Sequence, residues 1–433
     1  MRCFFFIIMS SLFLCYATLS ADTPDSTQSI KHIERQLSDM QRQLNQLLLE
    51  KKKQEQDDTL KKLLQEANQL TTVEKKTDEG IGKKFQSGTR QQSALNPNIS
   101  VGGDFFIGVN SSKATYGHEP GEFSYGTNRM QLREMEVTMQ ASLDPFTRGK
   151  SHISFSEGEV AVEEAYMEWL NLPANMNMRI GLFNAEFGIL NRYHNHALPQ
   201  FDRPRVLVNM FGIEPLGGYG IAGNFLLPTL LFADASSLDI SVLRCANEFS
   251  FTTDGTYNLV YVGQFKNYYD LNRDTFFEWS LSGAAGNNDP GEKYRSYLGD
   301  AAFTLKWAPI GRAKYRTIEW QNEFIDSYRD TPAGFIKSKG FYSSLQNKLN
   351  ARYWISGRIG YTEFPFDHSQ HEWDVTGCID FWQSEFVFYR LQYQYNMRAI
   401  TNNPYQSGPY PDHDHSLVLQ ISWAMGPHKH EKY

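Results

Sequence analysis

Apolar and polar side chains alternate with a period of two, in run after run of about ten residues. No other feature of this chain limits its possible folds so strongly. From Asn98, residues Ile99, Val101, Phe105, Ile107 and Val109 alternate with Ser100, Gly102, Asp104 and Gly108. Met135, Val137 and Met139 alternate with Glu134, Glu136, Thr138 and Gln140. Leu417, Leu419 and Ile421 do the same with Val418, Gln420 and Ser422 near the C-terminal end. Successive side chains of an extended chain point to opposite faces, so each run makes a strand with one apolar and one polar side. About ten residues is also the length of a tilted strand that crosses a bilayer. A soluble sandwich alternates too, so the pattern alone leaves two solutions open.

The connections separate them. About sixteen strands fit between residues 99 and 425, including expected strands near 313–326, 339–346, 351–363 and 372–382. Connections after even-numbered strands are short: Asp144-Pro145-Phe146, Pro228-Thr229, Asp270-Leu271-Asn272, Pro309-Ile310-Gly311, Gln346-Asn347-Lys348 and Gln383-Ser384. Those after odd-numbered strands are mostly longer and more polar, the gap near Gly158 being the main exception. Tight turns alternating with long loops, with both ends of the sheet on the tight-turn side, are the pattern of an outer-membrane barrel. Lipid offers no hydrogen bonds to an open sheet edge, so such a sheet has to close. Aromatic residues near strand ends, among them Trp169, Tyr219, Tyr261, Trp279, Tyr395 and Trp423, suit the girdles of such a barrel. The expected fold is therefore an all-β transmembrane barrel of about sixteen antiparallel strands.

Composition removes other classes. The chain has 23 Tyr, 30 Phe and 8 Trp, far too many for a solvated coil. The net charge is −7 and no long Lys/Arg block recurs, so no nucleic-acid partner is expected. After the N-terminus no stretch of about 20 apolar residues exists, which excludes a bundle of membrane-spanning helices.

The rest of the organisation is also readable. Residues 1–21 have Arg2, an apolar run and then small residues, as in a secretory signal peptide; a retained anchor is the alternative. Residues 28–73 carry Ile30, Ile33, Leu37, Met40, Leu44 and Leu47, a heptad seam that predicts an oligomerising α-helical coiled coil, with a trimer favoured by Ile at both seam positions. One helix folded back on the body is the alternative. Residues 74–97 are polar and Gly-containing and form a linker, and residues 98–433 form the barrel. Cys3 and Cys15 leave with the signal, and Cys245 and Cys378 make no disulfide framework.

Two segments carry a resemblance. Val162-Glu163-Glu164-Ala165-Tyr166-Met167-Glu168-Trp169 and Arg179-Ile180-Gly181-Leu182-Phe183-Asn184-Ala185-Glu186-Phe187-Gly188-Ile189-Leu190-Asn191, with the closing Gly426-Pro427-His428-Lys429, look like phosphate-selective porins and their relatives. The order of signal, coiled coil, linker and barrel resembles the dicarboxylate-type porins of that superfamily. The resemblance implies a homotrimer of sixteen-stranded pores in the outer-membrane lipid, with the coiled coils in the periplasm. It also implies passive diffusion of small hydrophilic, anionic solutes without a cofactor or enzymatic activity.

The longest connection, residues 184–216, is too apolar for a solvated loop, and resemblance to general porins suggests that it folds into the barrel. It carries the expected constriction residues Arg192, His194, His196, Asp202, Arg203 and Arg205. Arginine forks suit carboxylate or phosphate. The alternative is that Asp202 and Arg203 or Arg205 pair with each other or with the wall and pin the loop. Strand parity assigns Arg179, Arg358, Arg390, Glu134, Glu136, Glu164 and Glu168 to the pore wall, with Lys306, Arg398, Glu278, Glu319, Glu323, Asp374 and Asp380 on the same side. Both signs are present, so the wall by itself is not clearly anion-selective.

Other motifs carry less. Gly218-Tyr219-Gly220-Ile221-Ala222-Gly223 matches a dinucleotide fingerprint, but it lies within an alternating strand with no helix after it. His194-x-His196 with Asp202 could ligate a metal, as could His413 and His415 with Asp412 and Asp414, or His428 and His430; no metal site is expected. No GxSxG, P-loop or HExxH occurs. A structural or adhesive protein tethered to the cell wall, and a metal-uptake barrel, remain the alternative functions.

Overall fold

The structure, a computed structural model, describes residues 97–111, 129–156, 158–245, 247, 249–252, 258–401 and 412–426. The expected signal peptide, coiled coil and nearly all of the linker lie outside the described residues.

Sixteen strands form the body. They are β1 (Asn98–Asn110), β2 (Arg129–Ser142), β3 (Thr147–Ser156), β4 (Glu159–Leu172), β5 (Met176–Asn184), β6 (Gly217–Leu227), β7 (Ala235–Arg244) and β8 (Val260–Asn272). β9 (Thr275–Asn287), β10 (Arg295–Trp307), β11 (Thr317–Thr331), β12 (Gly334–Lys348), β13 (Tyr353–Phe364), β14 (Asp367–Trp382), β15 (Val387–Ala399) and β16 (His413–Met425) follow. Each strand is antiparallel to its sequence neighbours, and β1 pairs with β16 in a register that sets Phe105 opposite Ile421, so the sheet closes on itself. The expected all-β barrel is thus the observed fold.

Alternation decides which face each residue takes. In β14, Glu372, Asp374, Thr376, Cys378 and Asp380 are buried, while Val375 and Ile379 are about half exposed (49% and 54%). In β16, Asp414, Ser416 and Gln420 are buried and Leu417 is exposed. A soluble protein reverses this arrangement. An apolar belt displayed on strand after strand is unstable in water and matches the hydrocarbon of a bilayer.

The tight side of the barrel is built by local chemistry. Between β2 and β3, the Asp144 carboxylate accepts hydrogen bonds from the backbone N–H groups of Phe146 and Thr147, both at 2.7 Å. The Thr147 hydroxyl and those N–H groups stabilise the charged form, and they hold Asp144 below the usual carboxylate range.

Several boundaries differ from expectation. The segment expected to join strands ending at 326 and starting at 339 is itself strand, since β11 and β12 pair from Thr317↔Lys348 to Thr331↔Gly334. They turn through Pro332 and Ala333, and Gly334 takes φ +113°, where side chains are strained. β13 and β14 likewise extend, and only residues 365–366 separate them. These polar stretches read as loops because alternation needs an apolar face only within lipid; the backbone ladder continues above it. Conversely, β11 starts at Thr317 rather than near 313, because residues 309–316 coil through Arg312 N–H to Pro309 C=O and Arg316 N–H to Arg312 C=O, both 2.9 Å. The glycine-rich segment 218–223 lies wholly in β6, and Cys245 and Cys378 are buried free thiols.

Candidate functional site

Between β5 and β6 the chain leaves the wall for residues 185–216, here called L3. L3 contains one 3-10 turn (Asn195–Ala197) and one short helix, α1 (Arg205–Phe211). Gly188 N–H donates to Ser282 of β9 (3.0 Å) and Ile189 N–H to Glu323 of β11 (3.1 Å). Asp202 meets Arg358 of β13 and Gln392 of β15, both at 2.7 Å. Arg133 of β2, across the barrel from β9 and β11, donates to Phe201 C=O of the loop (2.6 Å), so L3 crosses the barrel interior.

Its apolar residues explain why it stays there. Phe187, Leu190, Leu198, Val206, Met210 and Phe211 are buried in one cluster with wall residues such as Leu243, Val262, Ile325 and Tyr342. Phe187 and Phe211 meet edge to face, with centroids 5.3 Å apart at 89°. Asn191 clamps the two ends of the loop. Its Nδ2 donates to Ala185 C=O and Leu216 C=O (both 2.9 Å), and its Oδ1 accepts from Leu216 N–H (2.7 Å).

One flank of L3 is fastened to the wall by charge. Arg358 bridges Asp202 and Asp374 (2.7 and 3.1 Å), and Gln392 and Gln394 donate to the Asp202 carboxylate (2.7 and 3.3 Å). Burial opposes the charge on Asp202, but the Arg358 guanidinium and the Gln392 amide outweigh it and hold the carboxyl below its usual range. Glu372 is shared by Arg205 and Arg398, the latter at 3.2 Å. Arg390 pairs with Asp380 (2.9 Å) and donates to Leu198 C=O (3.1 Å). Arg203 turns back into the loop and donates to Leu190 C=O and Tyr193 C=O (3.2 and 2.5 Å). Asp202 and Arg205 therefore pair with the wall, and Arg203 bonds within the loop itself.

His194 and His196 face β2–β4. His194 Nδ1 is 2.5 Å from Glu163 and 3.1 Å from Glu136, and its Nε2 is 3.5 Å from Glu164. His196 Nδ1 lies 3.5 Å from Glu134. Burial disfavours the imidazolium in both rings. The surrounding glutamates overcome that and raise both, His194 well above the usual histidine range.

The other flank of L3 leaves a space of about 400 Å³. L3 contributes Glu186, Arg192 and Tyr193 to it, and the wall contributes Lys266, Glu278, Lys306, Glu319 and Gln321. Its cations sit beside carboxylates: Arg192 with Glu186, Lys306 with Glu319 (3.0 Å) and Lys266 with Glu278 (3.9 Å). Burial works against ionised Glu186, but Arg192 beside it keeps its carboxyl below the usual range. Of the six expected constriction residues, only Arg192 lines this space.

The expected wall residues share the inner face. Glu134, Glu136, Glu164, Glu168, Arg358 and Arg390 are buried, and Arg179 lies 3.7 Å from Glu168 with its guanidinium 4.8 Å from the Tyr166 ring centroid. Parity missed two more. A bulge between β1 and β2 makes Arg133 an extra residue, and it pairs with Asp104 and donates to Phe201 C=O (2.6 Å). A second bulge between β3 and β4 turns Glu163 inward beside Glu164. Lys266 was within reach of the parity argument, since it shares the even positions of β8 with buried Gln264.

No family model matches this chain. An uncharacterized protein of Aquifex aeolicus (strain VF5) is 32% identical over 203 residues, which is 44% of this chain and 42% of that protein. Among solved structures, OprB of Pseudomonas putida superposes with a TM-score of 0.51 at 9% identity, covering 78% of this chain and 97% of its own. The outer membrane channel DcaP of Acinetobacter baumannii gives 0.51 at 10% identity, covering 76% and 98%. An anion-selective porin from Comamonas acidovorans gives 0.50 at 8%, covering 76% and 100%. At such identities the likeness is one of architecture: the chain folds as a porin-like barrel with a loop drawn inside.

Proposed function

We propose that this chain forms a water-filled channel of the bacterial outer membrane for passive diffusion of small hydrophilic solutes, anions among them. One observation supports the reading most: a closed barrel, apolar outside and charged inside, is crossed by L3, beside which lies a space of about 400 Å³ lined by Arg192, Lys266 and Lys306 with their carboxylate partners. Charges that face each other across water orient a passing solute, and the balance of signs sets the barrier for each ion. On this reading the constriction is formed by Arg192 with Glu186, Lys266, Glu278, Lys306 and Glu319, while Asp202, Arg203, Arg205, His194 and His196 hold the loop. The solved barrels of like architecture include an anion-selective porin from Comamonas acidovorans. The resemblance to phosphate-selective and dicarboxylate-type porins adds a homotrimer with coiled coils of residues 28–73 in the periplasm.

Planar-bilayer recordings test this. Purified protein is expected to conduct in steps grouped by three, with a reversal potential under a salt gradient that favours anions. Lys266→Gln and Lys306→Gln should each move the reversal potential toward cations, and Glu278→Gln should move it the other way. Protein that inserts but never conducts ends the proposal; reversal potentials indifferent to all three substitutions remove the assigned constriction.

A further inference from the structure

Where L3 passes β2, β3 and β4, donor groups from distant parts of the chain converge. Glu136, His152 and His194 each offer an atom within 4.8 Å of the others. Their side chains are 4%, 0% and 1% exposed. His152 Nδ1 is 2.7 Å from Glu136 Oε1, and His194 Nδ1 is 3.1 Å from Glu136 Oε2. The two imidazoles stack, with centroids 4.3 Å apart at 27°. Glu163 Oε2 adds a carboxylate 2.5 Å from the same His194 Nδ1.

Charge makes this cluster demanding. Glu136 of β2 and Glu164 of β4, on either side of β3, are buried carboxylates, and a buried carboxylate needs positive charge at close range. Two arrangements supply it: protons on the imidazoles, or one divalent cation with the imidazoles neutral as ligands. The donor set favours the second for a particular class of ion. Two ring nitrogens with carboxylate oxygens suit zinc and its neighbours, whereas calcium and magnesium take oxygen only. A tetrahedral ion with bonds of about 2.0–2.1 Å sets its donors roughly 3.3 Å apart. The His194–Glu136 pair is already at 3.1 Å, whereas the His152–Glu136 and His194–Glu163 pairs, hydrogen-bonded at 2.7 and 2.5 Å, open to admit the ion. Supporting bonds are in place too. Thr138 Oγ1 donates to Glu136 at 2.8 Å, and Asn184 N–H orients Glu164 at 2.9 Å.

We propose that Glu136, His152 and His194, with Glu163 as a fourth donor, bind one divalent transition-metal ion such as zinc, which fastens L3 to the β2–β3 wall. Asp202, the third partner that sequence spacing offered to His194 and His196, is instead engaged by Arg358. The ion is a structural staple and not a permeating solute, because Glu136, His152 and His194 are buried.

The test uses full-length protein in detergent, carrying His428→Gln and His430→Gln to remove the terminal pair, stripped with chelator. Zinc titration by calorimetry should give one ion per chain and raise the temperature at which the folded band is lost. His194→Ala and His152→Ala should each weaken binding by about tenfold to a hundredfold or more, and Glu136→Gln, which keeps the shape, should do likewise. Cobalt bound to the unsubstituted cluster should show the intense visible bands of tetrahedral coordination, a readout that needs no variant to fold. Binding unaffected by these substitutions, no binding, or only the weak bands of an octahedral cobalt complex would overturn the proposal. Conductance is not a readout here: a channel that conducts without binding zinc removes the staple alone, and a barrel that binds zinc without conducting removes the channel alone.

Discussion

Asp202 shows how much one side chain can organise inside this barrel. It is held by an arginine of β13 and two glutamines of β15, each more than 150 positions away in sequence. Removing its charge leaves Arg358 with Asp374 as its remaining anionic partner, so Asp202→Asn should lower stability by about 3 kcal/mol. The pH dependence has a definite sign. The folded-state carboxyl is lowered, so its stabilisation is complete above the ordinary carboxylate range and disappears as pH falls through the folded value beneath it. Thermal unfolding of the detergent-solubilised barrel, followed by band shift on a gel from neutral pH downward, should show wild type losing its advantage over Asp202→Asn only in acid below that range. A variant as stable as wild type at neutral pH would refute the anchor.

L3 behaves as an element with its own small core. Phe187, Met210 and Phe211 bury apolar surface against the wall, while Asn191 ties together the ends at Ala185 and Leu216. Asn191→Ala leaves two carbonyls and one N–H without that partner in a buried site, at a cost of about 2–4 kcal/mol. Because the clamp closes the loop and not the sheet, the expected result is a barrel that still forms but a loop that moves. Single-channel current should become noisier, and proteolysis within residues 185–216 should speed up. Unchanged noise and cleavage would show that the loop is secured without the Asn191 clamp. Gly188 is part of the same design. Its φ of +57° and the Glu323 carboxylate pressed against it leave no room for a Cβ, which explains a glycine at the point where L3 first touches the far wall.

The whole molecule is organised by an inversion of the usual solvent preference. Ile379 and Val375 face outward beside inward Asp380 and Asp374 on a single strand. If lipid covers that face, Ile379→Arg should cost about 2–4 kcal/mol near the bilayer midplane and less toward its edges. Reversible folding into vesicles measures this, and a neutral effect would place the residue against water or protein.

Much of this architecture was legible in the residues themselves. Period two in Met135–Met139 or Leu417–Ile421 is local information, because neighbouring side chains of any strand point to opposite faces whatever the strand pairs with. Alternation therefore determined the strands, their number and their inward faces, and the apolar content of 184–216 determined that this loop would seek burial. Pairing across the barrel was not local. Bulges at Arg133 and Glu163 break the parity count, polar β11 and β12 extend past the alternating region, and His194 meets Glu136 and His152 only because closure and register bring β2, β3 and L3 together. Which flank of L3 is locked by ion pairs and which is left open was decided by tertiary structure, since an ion pair depends on where two charges end up in space, and sequence spacing does not specify that for residues joined only through a closed sheet.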